Sequence, residues 1–147
     1  MALEFDRSII GQVFDETSFP AVTTEEIVDY ALSLGETNPL YIDEAAAATG
    51  PYGGLIAPPT FVSKLRAQKF TPEHLPKFGK FGFDGGRDLE LYTPVRPGDE
   101  LVMLSTIHDI YEKTGRTGSM YFIVIRNEVR NQKGEKVAVI DHRIMQR

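Results

Sequence analysis

The chain has 147 residues, 41% hydrophobic and 25% charged, with a net charge of −5. That length suits one domain hiding roughly 70% of its extended-chain surface, and the negative charge argues against a nucleic-acid or anionic-membrane partner. The absence of cysteine excludes a disulfide framework, a thiolate metal site and a cysteine nucleophile. The N-terminus Met1-Ala2-Leu3-Glu4-Phe5-Asp6-Arg7 has acidic residues and no apolar run. It does not read as a signal peptide, and no stretch approaches the ~20 apolar residues of a membrane span, so a cytoplasmic protein is expected.

In chain order, residues 12–22 read as a first extended segment. Thr23 is an N-cap, and Glu26 three residues later completes a capping box; Glu25 and Glu26 then sit in the first turn, where the helix dipole favours carboxylates. Ile27, Val28, Ala31, Leu32 and Leu34 fall at helical spacing, and Gly35 stops the helix. A polar loop follows over 36–40, and Asp43 caps a short helix over 44–48. Proline fits only the first turn of a helix, so Pro58-Pro59 predicts a helix start, with the helix running to about Lys69 and Phe61, Val62 and Leu65 facing inward.

The second half reads as β. Residues 80–92 hold a strand pair or one bent strand with Gly85-Gly86 inside it. Residues 95–99 form a turn, and residues 100–111 alternate. Residues 112–119, with Gly115 and Gly118, read as a hairpin loop. Residues 120–130 are the clearest strand, with Tyr121, Ile123, Ile125 and Val129 on one face and Arg126, Glu128 and Arg130 on the other. Asn131-Gln132-Lys133-Gly134 is a hairpin turn, and the last strand covers 136–145. Helices followed by an antiparallel meander define an α+β domain over residues 1–147, whose sheet needs a cover on one face.

Four segments carry a resemblance. They are Gly35-Glu36-Thr37-Asn38-Pro39-Leu40-Tyr41-Ile42-Asp43, Gly53-Gly54-Leu55-Ile56-Ala57-Pro58-Pro59-Thr60-Phe61, the stretch 83–101, and Tyr111-Glu112-Lys113-Thr114-Gly115-Arg116. In this order they resemble the MaoC-like hydratase/dehydratase family, in the subgroup similar to the N-terminal half of two-domain, FAS1-like dehydratases. The resemblance implies a hot-dog fold, an antiparallel sheet curled around a central α-helix. It also implies action on 2-enoyl or 3-hydroxyacyl thioesters of CoA or acyl-carrier protein, without cofactor or metal. In that family an aspartate and a histidine share one water, and a backbone N–H at the start of the central helix holds the thioester carbonyl.

Gly35, Asn38, Pro39 and Asp43 match the family loop. Glu36 stands where the family has aspartate, Tyr41 where it has histidine, and Pro58, which has no N–H, where it has the carbonyl-holding glycine. A carboxylate moved by ~1 Å can cost ~10²-fold, and a phenol is a poor base at neutral pH. Loss of one oxyanion donor costs ~3–4 kcal/mol. Thr60 and Phe61 are expected to keep free N–H groups at that helix start.

Glu36 and Tyr41 are therefore the candidate catalytic residues, in a chain that reads as a degenerate, substrate-binding half. Asn38, Pro39, Ala57, Pro58, Thr60, Phe61, Asp84 and Gly85 are the candidate substrate contacts. The alternatives are an active hydratase using Glu36 with Tyr41, an acyl-CoA thioesterase, or a non-enzymatic acyl-thioester binder. Exposed sheet edges are usually covered, so a homodimer, or a heterodimer with a catalytic hot-dog subunit, is expected. His74, His108 and His142 lack metal-ligand spacing.

Overall fold

The computed structural model describes residues 3–147. Five strands, β1 (Val13–Ser18), β2 (Gly82–Leu91), β3 (Val102–Gly115), β4 (Gly118–Arg130) and β5 (Lys136–Gln146), form one antiparallel sheet in the order β1-β3-β4-β5-β2. Three short α-helices, α1 (Thr24–Ser33), α2 (Pro39–Ile42) and α3 (Glu44–Ala48), lie between β1 and β2.

Local chemistry sets most boundaries. Thr23 Oγ1 accepts from Glu26 N at 3.1 Å and Glu26 Oε2 accepts from Thr23 N at 3.0 Å, so the capping box forms and starts α1. Gly35 ends the helical region with φ 74°, a conformation that favours glycine. Asp43 Oδ1 accepts from Ala46 N at 3.1 Å and caps α3.

Two elements differ from the sequence expectation. The segment opened by Pro58-Pro59 is a six-residue 3-10 helix, Pro59–Lys64, and does not continue to Lys69. Leu65 is already extended, at φ −64° and ψ 139°. The following strap is pinned by Gln68 N, which donates to Thr17 Oγ1 at 2.9 Å and Asp15 Oδ2 at 3.1 Å. The central helix of the hot-dog arrangement is thus reduced to two 3-10 turns, already longer than most runs of that geometry. Residues 112–119 also differ: they are ladder, not loop, because Glu112 pairs with Tyr121, Lys113 with Met120 and Thr114 with Ser119, leaving only residues 116–117 to turn. The Lys113 ammonium lies over the Tyr111 and Phe122 rings, at 5.7 and 5.3 Å, so a sequence that looks polar packs as a strand.

The interior has two apolar clusters. One joins Ile27 of α1 and Phe61 and Val62 of the 3-10 helix to Leu101, Met103, Val129 and Ile140. The other centres on Ile107, Ile110, Ile123 and Ile125, under Phe5, Ile10, Leu75 and Phe78. Between them a polar row crosses the inner face of the sheet. Asp15 pairs with Ser105, Ser105 with Asn127, and His142, opposite Ile125, lies two pairs further along β5. Ser105 Oγ donates to Asn127 Oδ1 at 2.6 Å, and Asp15, Ser105 and His142 are all buried.

Candidate functional site

The family-like loop and the start of the 3-10 helix meet. Asn38 Oδ1 accepts from Leu40 N at 3.1 Å and caps α2, with Pro39 in its first turn. Leu40 O then accepts from Ile56 N at 3.1 Å, tying α2 to the strand-like run before Pro58. Ala57 N donates to Val95 O at 2.8 Å, and Arg96 Nη1 donates to Tyr52 O at 2.8 Å, which fastens both sides to the 95–99 turn.

These ties frame a cavity of about 180 Å³. Its walls are Tyr41, Tyr52, residues 56–59, Val62, residues 91–95 and Val137. They supply aliphatic groups, prolines, phenols and one threonine, Thr93, but no carboxylate, imidazole or ammonium group.

The expected site residues divide around it. Tyr41, Ala57 and Pro58 line the cavity. Asn38 and Pro39 are exposed and shape the turn beside it, and their polar groups serve α2. Glu36 is half-buried at the end of α1, where its N–H donates to Ala31 O at 3.1 Å. Its carboxylate is not on the cavity wall and has no hydrogen-bond partner among the described residues.

Thr60 is turned toward α1. Its Oγ1 lies 2.9 Å from the Tyr30 hydroxyl, which also reaches Thr60 O at 3.0 Å. Phe61 is 1% exposed, edge-on to the Tyr30 ring with centroids 5.4 Å apart, and belongs to the apolar core. The Phe61 N–H is not free, because it donates to Pro58 O at 2.9 Å. Of the first three residues of this helix, only Thr60 has an N–H without an acceptor among the described residues.

Asp84 and Gly85 lie elsewhere, on edge strand β2, where the register with β5 shifts between Asp84 and Arg87. There Asp84 Oδ1 accepts from Gly86 N at 2.8 Å and sits 3.1 Å from His142 Nε2. These contacts hold the Asp84 carboxyl below its usual pKa, the Gly86 amide first and His142 second. Sequence reading considered His142 only as a metal ligand and found no such spacing. Its partner lies 58 positions away, and no local spacing announces the pair.

A family model described as the FAS1-like dehydratase domain region matches residues 8–140. The chain belongs to the FAS1-like dehydratase-domain family. Within it, this FAS1-like dehydratase-domain chain is 32% identical over 141 residues to a UPF0336 protein of Streptomyces avermitilis, covering 92% of this chain and 90% of that one. The fold matches that of the MaoC-like dehydratase from Rhodospirillum rubrum, with TM-score 0.69, 25% identity and coverage of 93% and 91%. The C-terminally truncated HadBC (3R-hydroxyacyl-ACP dehydratase) complex of Mycobacterium tuberculosis is similar in fold, with TM-score 0.71, 24% identity and coverage of 97% and 99%. The FAS1-like dehydratase domain therefore has the hot-dog fold, with its central helix shortened to Pro59–Lys64.

Proposed function

We propose that this chain is the substrate-binding, catalytically degenerate member of a hot-dog pair that handles 2-enoyl or 3-hydroxyacyl thioesters, carried by CoA or acyl-carrier protein. The observation that carries this reading is the wall of the 180 Å³ cavity. It lies where the family loop meets the helix start, and apart from Thr93 its side chains are apolar or phenolic. Water addition needs a base at the β-carbon and a donor at the carbonyl oxygen. Tyr41 offers a phenol, Glu36 is off the wall, Pro58 and Pro59 have no N–H, Phe61's is taken, and Thr60, whose N–H is free, does not line the cavity. Such a cavity suits an acyl chain better than proton transfer.

The pairing half of the proposal rests on β2. This strand forms one edge of the sheet, and Phe81 (67% exposed) and Phe83 (51%) precede and open it, with Leu91 and Tyr92 exposed at its other end. Unpaired edges with apolar side chains are normally covered. Leu91 and Tyr92 also line the cavity, so a subunit added along β2 would border it.

The test is calorimetric titration of the purified chain with decanoyl-CoA, alongside a crotonyl-CoA hydration assay. Binding without turnover is expected, and Leu91→Trp should abolish binding by filling the cavity. Hydration by this chain alone at a rate typical of enzymes would overturn the degenerate reading. A strictly monomeric sedimentation profile at micromolar concentration would overturn self-pairing, and failure to co-purify with a co-expressed catalytic hot-dog subunit would then remove the heterodimer.

A further inference from the structure

A second cavity, of about 40 Å³, lies on the other side of the 3-10 helix, under the strap that follows it. Most of its wall is apolar, but Ser63, Asn127, His142, Arg66 and Arg87 also line it. At roughly 10–15 Å³ for each water-sized guest, it has room for about three of them and for no larger molecule.

Two cations converge on this space. Arg66 Nη1 donates to Ser63 O at 2.7 Å, and Arg87 Nη1 donates to the same oxygen at 3.2 Å. The two nitrogens therefore lie no further apart than the sum of those distances. Neither guanidinium has a carboxylate within 4.0 Å among the described residues. Elsewhere on the sheet the pattern is different: Arg126, Arg130 and Arg143 are paired with Asp141, Glu128 and Asp88. The acids of β2 nearest to Arg87 are engaged, Asp88 by Arg143 and Asp84 by Gly86 N and His142. Ser63 O carries only a partial charge and cannot balance two cations.

The polar groups of the wall are mostly donors. Nε and Nη2 of both guanidinium groups have no partner among the described residues. Asn127 Oδ1 accepts from Ser105 Oγ, which leaves Asn127 Nδ2 unpartnered, and that nitrogen is not sealed, so it is open to the cavity that its residue lines. His142 Nε2 donates to the ionised Asp84 carboxylate, so His142 Nδ1 is left as an acceptor. Water alone fills the space but leaves two neighbouring positive charges uncompensated beside an apolar wall.

We propose that this cavity is a halide site, which takes one chloride ion between Arg66, Arg87 and Asn127 Nδ2. A chloride ion is only slightly larger than a water molecule, so it fits with a water beside it. That water donates one proton to the ion and the other to His142 Nδ1. The ion ties the strap through Arg66 to β2 through Arg87 and to β4 through Asn127, so its occupancy sets how tightly the strap is held. The site shares no residue with the 180 Å³ cavity and does not rest on the acyl-binding reading.

The test is titration of the protein with sodium chloride against sodium gluconate at constant ionic strength, followed by Tm, chlorine NMR linewidth and hydrogen exchange. A roughly twenty-fold excess of chloride over its Kd should raise Tm by roughly 4–7 °C relative to gluconate. The Gln68 N–H, which holds the strap to Asp15 and Thr17, should exchange several-fold more slowly in chloride. Arg87→Gln, at an exposed side chain, and Asn127→Asp, which keeps an acceptor for Ser105, should each abolish the chloride-dependent rise and the excess linewidth. Arg116→Gln, between β3 and β4, should leave both unchanged. Equal Tm and Gln68 exchange in chloride and gluconate, or chlorine broadening that survives both Arg87→Gln and Asn127→Asp, overturns the site. Phosphate or acetate stabilising the protein at lower concentration than chloride would put a polyatomic anion on the arginines and overturn the halide assignment.

Discussion

Phe61→Ala separates a core role from a ligand-wall role at the residue where the family motif ends. Phe61 is 1% exposed and is enclosed by the larger apolar cluster. Its ring meets Tyr30 edge-on at 5.4 Å, and the Lys64 ammonium lies 4.4 Å from its centroid. Truncating a buried phenylalanine costs about 3–5 kcal/mol in lost transfer energy and residual cavity. The ring pair places this site in the middle to upper part of that range, at about 4 kcal/mol. For a domain of this size each kcal/mol moves Tm by about 2–4 °C, so the drop should be roughly 8–16 °C. Urea unfolding and a thermal scan measure it, with Leu32→Ala, at a 57% exposed side chain, as the control expected within about 0.5 kcal/mol. A Phe61→Ala loss below about 1 kcal/mol, paired with a large fall in acyl-CoA affinity, would refute the assignment of Phe61 to the core and move it to the ligand wall.

Thr23→Ala should cost about 1 kcal/mol in urea unfolding, because Glu26 N loses its Oγ1 acceptor while the backbone half of the capping box, from N–H of residue 23 to Glu26 Oε2, survives. Gly85→Ala should destabilise by about 1–3 kcal/mol, since the new methyl meets the Arg143 backbone at 2.9 Å, and hydrogen exchange should quicken first in β2. The Asp84 carboxyl is depressed below 3.8 on folding. A depressed carboxyl stabilises the fold above its unfolded pKa and loses that effect as pH falls through the folded pKa, so Asp84→Asn should flatten the acid limb of Tm against pH only below about pH 4. Phe83→Lys puts charge on the exposed β2 edge and should shift sedimentation toward monomer while far-ultraviolet circular dichroism stays unchanged.

What the sequence revealed was local. The Thr23/Glu26 box, the Asp43 cap and the Gly134 turn each involve residues within about four positions, so composition and spacing were enough to find them. The loop around Asn38-Pro39 and the run to Pro59 were found by resemblance, and the Leu40–Ile56 hydrogen bond joins them. The stop after Lys64 was not legible, because the strap is fixed by Gln68 reaching Asp15 and Thr17 more than fifty positions upstream. The cation over Tyr111 and Phe122, which turns a polar tract into strand, depends on register across β3 and β4. Asp84 was singled out for its glycine neighbours, but its partner His142 is brought to it only when β2 closes the sheet.

The band of Asp15, Ser105, Asn127 and His142 splits the interior into two oily compartments. Such a band is a fault line: its side chains answer to hydrogen bonds and not to the apolar packing on either side. Opening motions should begin along it, with the Gln68 strap lifting before either half dissolves.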